Sequence, residues 1–155
     1  SGGAASSTRA IFSGGRGPSG NTNVMDYVTL ASTGNSTDFG DQTVERRYLA
    51  GLSSSTRAVY GAGRGPSPAL NTMDYVTIAS TGNATDFGDL LSAYTNPGTS
   101  SNSVRGIFTG GTSPESNNTI QYITIASTGN ATNFGDLTVT RGGCFGSSGS
   151  HGGLQ

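Results

Sequence analysis

The chain has 155 residues, of which 32% are hydrophobic and 11% are charged, and its formal net charge is −1. This length is sufficient for one domain with a buried core, but the sequence lacks the clustered Lys and Arg of a nucleic-acid surface. No apolar run approaches the length that crosses a membrane. We therefore expect a single domain over residues 1–155 with no nucleic-acid partner and no membrane insertion.

One motif occurs three times and organises the rest of the sequence. This repeat motif reads MDYVTLASTGNSTDFGD at 25–41, MDYVTIASTGNATDFGD at 73–89 and IQYITIASTGNATNFGD at 120–136. The stretch before it also recurs, and a fixed period of about 48 residues is typical of stacked or radially arranged units. The sequence therefore predicts three repeats, at about 7–54, 55–102 and 103–150. Their shared structural positions are Arg9, Arg57, Arg105, Asp41, Asp89, Asp136, Phe39, Phe87 and Phe134.

The first repeat alternates β-forming runs with glycine-rich turns. Residues 9–12 are a predicted strand that Ser13-Gly14-Gly15 stops, and GRGPSGNTN at 15–23 is a predicted loop. The strongest predicted strand covers 25–31, a hairpin-type turn follows at 32–35, and 37–41 returns as a short outer segment. Residues 43–50 are the predicted fourth strand. Helical periodicity is absent, so each repeat is expected to be four short strands.

Four short strands per repeat predict an all-β fold, either a β-propeller or a β-trefoil or β-prism. The strands VYGAG and YVTIAS do not alternate cleanly between apolar and polar residues. A strand covered on both faces tolerates that mixture, whereas a sheet with one wet face does not. The pattern favours the propeller, and the trefoil or prism is the alternative because either closes within one chain.

Each repeat also resembles a kelch-type blade. The shared features are an Arg, a β run ending in Gly-Gly, an N-T-x-D-Y strand and an aromatic residue in the outer segment. Phe39, Phe87 and Phe134 stand where kelch repeats have Trp, and Gly61-Ala62-Gly63 interrupts the double glycine. The segment STGNATDFGDL resembles segments of repeat proteins of bacteriophage virions. The resemblance implies a propeller, and a non-enzymatic structural or adhesive role in a phage tail, a capsid-associated component or an extracellular setting.

Three blades are too few to close a propeller. Residues 137–143 (LTVTRGG) are a fourth-strand equivalent with no following strand, and residues 1–6 align with LAGLSS at 49–54. The two chain ends are therefore complementary. We expect a homo-oligomer, either a head-to-tail dimer with six blades or a filament.

Candidates for enzyme chemistry are few. The single histidine, His151, stands in a Gly/Ser-rich tail, and no zinc spacing, phosphate loop or nucleophile elbow is present. The TDFGD segments offer carboxylates of the kind that suit calcium, yet Asn133 replaces one of them in the third copy. We expect no enzyme, no metal and no cofactor, with calcium not favoured.

The repeated acids have a structural interpretation instead. Asp41, Asp89 and Asp136 are expected to cap turns or to pair with Arg9, Arg57 and Arg105 between blades. Asp26 and Asp74 become Gln121 in the third copy, and this replacement suits a structural hydrogen bond better than a metal ligand.

Binding is expected in the loops that vary between repeats, because loops on a rigid scaffold carry recognition. Their only charged residues are Arg16, Arg64 and Glu115, which are the candidate ligand-binding residues. Two alternative functions remain open. One is a lectin that binds a glycan or cell-surface receptor through these loops, and the other is an extracellular fibril subunit stabilised by calcium.

Overall fold

A computed structural model of the chain describes residues 1–66, 68–112 and 114–146. Every regular element in these ranges is a β-strand, which confirms the all-β class. None of the described segments is a helix long and apolar enough to cross a membrane. The strands are β1 (Gly2–Ala5), β2 (Arg9–Gly17), β3 (Gly20–Thr29), β4 (Thr37–Asp41), β5 (Ala50–Ser53), β6 (Arg57–Gly61), β7 (Thr72–Thr77), β8 (Thr85–Asp89), β9 (Gly98–Ser101), β10 (Arg105–Thr109), β11 (Asn117–Thr124) and β12 (Thr132–Arg141).

The strands form three antiparallel sheets of four strands, and within each sheet the strands lie in chain order. Sheet I contains β1–β4, sheet II contains β5–β8 and sheet III contains β9–β12. The sheets do not begin where the sequence repeats begin. Each repeat supplies the last three strands of one sheet, and the first two repeats also supply the first strand of the next sheet.

The predicted fourth strand at 43–50 is wrong. Sheet I is already complete when β4 ends at Asp41, and residues 42–49 form an irregular connection to β5. The backbone of this connection bonds to the ends of β2 and β3 and to the loop of sheet II that contains Arg64, without forming a strand itself. Gly15 N donates to Arg46 O at 2.9 Å, and Arg47 N donates to Arg64 O at 3.0 Å.

The glycines at 14–15 do not stop the strand before them. β2 continues to Gly17, and the pairing with β3 shifts register between Ser13 and Gly15. Gly14 and Gly15 have φ values of 58° and 125°, which only glycine adopts without strain, so they form a bulge rather than an end. Most of the predicted loop at 15–23 is therefore hairpin. In sheets II and III the described residues of the equivalent stretches, at 64–66, 68–71, 111–112 and 114–116, are loops, as predicted.

The segment at 137–143 is also paired within its own chain. Residues 137–141 belong to β12, and Arg141 lies opposite Asn117 of β11. Every sheet therefore has its four strands. In the described chain no sheet lacks a strand, and the outer faces of sheets I and III are the surfaces that no other sheet covers.

The sheets pack face to face around their first strands, with β1 against β5 and β5 against β9. Between sheets I and II, one face of sheet I meets one face of sheet II in a buried apolar layer. A second layer of the same kind lies between sheets II and III, so sheet II is covered on both faces. The first layer contains Ile11, Met25, Phe39, Ala58, Tyr60, Val76 and Ile78, and the second contains Val59, Met73, Phe87, Phe108, Ile123 and Ile125.

Truncation of Phe87 to alanine should lower the free energy of unfolding by about 3–5 kcal/mol, because this ring is 2% exposed and fills the second layer. The same change at Phe134, the equivalent position in sheet III, should cost about 1 kcal/mol or less, because that ring is 51% exposed. Urea unfolding at the lowest workable protein concentration measures both losses. Equal losses would contradict this packing.

Candidate interaction surface

The end of the first repeat motif contacts the turn of the second copy. Gly82 N donates to Phe39 O at 2.7 Å, and Ala84 N donates to Asp41 O at 2.8 Å. The side chain of Asn83 completes the contact, since its Oδ1 accepts from Asp41 N at 3.0 Å. The STGN turn was predicted only as local turn chemistry. The structure shows that it also joins sheet II to sheet I.

The same contact recurs between sheets II and III. The three equivalent bonds run from Gly129 N to Phe87 O, from Ala131 N to Asp89 O and from Asp89 N to Asn130 Oδ1. The approach is close enough to require glycine in the FGD segment. A Cβ on Gly40 or Gly88 would overlap the carbonyl oxygen of the facing turn, and both residues have φ near +135° (137° and 134°).

The repeated arginines also act between sheets. The guanidinium of Arg9 lies 4.5 Å from the ring centre of Tyr27, and its Nη1 donates to the carbonyl of Ile78 in sheet II at 3.0 Å. Arg57 repeats this arrangement with Tyr75 and the carbonyl of Ile125. The expected pairing of these arginines with Asp41 and its equivalents is therefore not formed. A cation over an aromatic face takes its place.

A buried ion pair lies between sheets I and II. Arg46 and Asp74 are both 0% exposed, and Arg46 Nη2 donates to Asp74 Oδ2 at 2.6 Å. The guanidinium also donates to the carbonyls of Thr72 and Ala62, and Thr43 Oγ1 donates to the other carboxylate oxygen of Asp74. Burial raises the pKa of Asp74 and lowers that of Arg46, and the opposite charge of each partner opposes these shifts.

The equivalent position between sheets II and III carries an uncharged pair. Gln121 Nε2 donates to Tyr94 Oη at 2.6 Å, and Leu91 N donates to Gln121 Oε1 at 2.8 Å. Burial raises the pKa of Tyr94, so the phenol stays protonated. The prediction that Gln121 replaces aspartate for a structural hydrogen bond is confirmed.

The partners of these buried residues were not predicted. Arg46 and Tyr94 each stand seven residues after the phenylalanine of their repeat motif, in the irregular connections that follow sheets I and II. The sequence contains one signal of this contact. Arg46 after the first motif is replaced by Tyr94 after the second, and Asp74 in the second motif is replaced by Gln121 in the third. Such paired changes indicate contact, but only when the two positions are compared together.

Two faces of the sheet stack have no neighbour in the described chain. The outer face of sheet I exposes 50% of Phe12 and 53% of Leu30, whereas the equivalent Tyr60 and Ile78 of sheet II are 0% and 1% exposed. The outer face of sheet III exposes Phe134, whose equivalents Phe39 and Phe87 are buried. Each outer face therefore consists of positions that the repeat buries elsewhere. The residues are Ala10, Phe12, Val28 and Leu30 on sheet I, and Ile107, Ile120 and Phe134 on sheet III.

The three candidate ligand-binding residues are solvent-exposed. Arg16, Arg64 and Glu115 lie where the second strand of each sheet connects to the third, so they belong to the same end of the three sheets. No hydrogen bond or ion pair joins their side chains to one another, and ligand binding there stays a prediction. His151 lies outside the described residues. Within the described ranges, no group of three or more His, Cys, Asp or Glu side chains is arranged to hold a metal ion.

Neither a scan against protein-family models nor a search of curated proteins finds a match to this chain.

The two buried pairs can be exchanged as a test of their equivalence. Arg46→Tyr alone should lower the free energy of unfolding by about 3–5 kcal/mol, because Asp74 loses its cation. Asp74→Gln alone should cost a similar amount, because the buried guanidinium loses its anion.

The double variant recreates the Tyr94–Gln121 pair between sheets I and II and should recover about 1–3 kcal/mol of the summed losses. Denaturant unfolding of the four proteins gives this coupling energy. Strict additivity of the two losses would show that the two positions are not equivalent.

Proposed function

We propose that this protein is a non-enzymatic structural module of the β-propeller type, built from kelch-like blades that continue beyond the three sheets of one chain. The packing of sheet II supports the propeller, because both of its faces are buried against neighbouring sheets. Sheets that expose one face to water bury only the other. Each sheet is then one blade, and β1, β5 and β9 are the innermost strands.

One observation carries the structural role. The outer faces of sheets I and III expose large apolar side chains at positions that are buried between every pair of sheets inside the chain. Exposed apolar patches of this kind mark interaction sites. We infer that further blades cover both faces, and that assembly is what the module does. The setting in a virion or an extracellular structure rests on the resemblance of STGNATDFGDL to repeats of bacteriophage virion proteins.

Light scattering on a size-exclusion column tests this proposal over a range of protein concentrations. We expect a mass above that of the monomer that rises with concentration, because burial of two apolar faces favours association. Electron microscopy of the large species would then distinguish a closed ring from a filament. A mass that stays at one chain at every concentration would contradict the proposal.

A further inference from the structure

The connections after sheets I and II each bind one buried polar residue of the next sheet. After sheet I the chain reads DQTVER at 41–46, and its Thr43 and Arg46 bind Asp74. After sheet II it reads DLLSAY at 89–94, and its Leu91 and Tyr94 bind Gln121. The connection that contains arginine therefore binds an aspartate, and the connection that contains tyrosine binds a glutamine. The two kinds are not interchangeable, because a buried charge without its partner is costly.

One segment equivalent to these connections and one equivalent acceptor remain, and both are of the charged kind. The segment after the third FG reads DLTVTR at 136–141, with Thr138 and Arg141 in the places of Thr43 and Arg46. On the outer face of sheet I, Asp26 stands in the place of Asp74, opposite Phe12 of β2 as Asp74 stands opposite Tyr60 of β6. Arg141 at the end of sheet III and Asp26 on the outer face of sheet I therefore have opposite charges, as Arg46 and Asp74 do.

The backbone already places Arg141 as it places the other two residues. Gly111 N donates to Arg141 O at 3.0 Å, as Gly15 N donates to Arg46 O and Gly63 N donates to Tyr94 O, both at 2.9 Å. Arg141 is exposed because no sheet follows it in the described chain. Its equivalent Arg46 is 0% exposed.

We propose that the partner of these faces is a second copy of this chain, and that Arg141 of one copy forms a buried ion pair with Asp26 of the next. This inference rests on the proposed function and names its partner and register. Sheet III of one copy packs on sheet I of the next as sheet I packs on sheet II within the chain. The interface is heterologous, so two copies that close form a ring of six sheets, and copies that do not close form a filament.

The remaining contacts between internal sheets extend to the same interface. Arg105 lies 4.4 Å from the ring centre of Tyr122, as Arg9 and Arg57 lie over their tyrosines. The position equivalent to the carbonyl acceptors Ile78 and Ile125 is Leu30, whose side chain is exposed on sheet I. Arg105 of one copy therefore donates to Leu30 O of the next. The Gly34–Asn35 turn takes the role of the Gly82–Asn83 turn against Phe134 and Asp136.

This register also requires a local rearrangement. Gly146 lies beside Thr99 of β9, as Gly51 of β5 lies beside Gly3 of β1. The segment from Cys144 to Gly146 therefore holds the place that β1 of an incoming copy would take. It moves aside when the second copy docks.

Charge reversal tests the ion pair. In Arg141→Asp each interface would oppose two aspartates, and in Asp26→Arg it would oppose two arginines. Each variant alone should associate roughly 100-fold more weakly than the parent chain, by light scattering or sedimentation velocity. Glu45→Arg, a charge reversal at an exposed residue outside both outer faces, is the matched control and should associate as the parent does.

An equimolar mixture of the two variants should associate again, because the native Arg141 of one variant then faces the native Asp26 of the other. Where sheet III of the Arg141→Asp variant packs on sheet I of the Asp26→Arg variant, the two introduced side chains face each other. They too have opposite charges. Rescue on mixing also shows that both variants are folded. Association of the parent that neither reversal weakens, or weakening that mixing does not rescue, would overturn this inference and leave the proposed function intact. A parent chain that is monomeric at every concentration would overturn both.

Discussion

The structure depends on one contact, which is made between consecutive copies of the same motif. The FGD strand end of one copy bonds to the TGN turn of the next through two backbone bonds and an asparagine side chain. Each copy of the motif therefore carries both halves of the contact. A substitution in either half would disturb its contact with the facing copy, which explains physically why this stretch varies so little from repeat to repeat while the loops at Arg16, Arg64 and Glu115 differ.

A stack of such units has one uncovered sheet face at each end of the described chain. Every internal sheet contact uses two different faces, and the first and last sheets each retain one face unused. The outer faces carry the equivalents of residues that are buried twice between sheets within the chain, and this equivalence supports the proposed contact between copies. Most small domains hide their apolar surface by folding back on themselves. In this fold each buried apolar layer lies between two different sheets.

The buried polar pairs make the apolar contacts between sheets selective. Apolar layers alone would allow any face of one sheet to accept the complementary face of any other, because burial of apolar area is non-directional. The alternation of Arg46–Asp74 with Tyr94–Gln121 makes the internal contacts chemically distinct. A pairing of sheets out of order would leave a charge buried without its partner, and that cost favours the native order.

Much of the architecture was predictable from local sequence patterns. The all-β class, the strands at 25–31 and 37–41 and the repeated positions at Arg9 and Phe39 followed from period, β-propensity and turn chemistry, which act over a few residues. The predicted strand at 43–50 failed for a physical reason. Its residues suit a strand locally, but Arg46 is drawn into the space between two sheets by a carboxylate 28 residues further along the chain.

The sequence by itself therefore determined the unit and its number of copies, because these are encoded in short windows that repeat. Only the tertiary structure decided where each sheet begins, which residues bridge the sheets and which faces remain open. Those features depend on how one unit stacks on the next, and no single window contains both partners. The match between Arg141 and Asp26 belongs to this second kind, since it becomes visible only after Arg46 has been seen to bind Asp74.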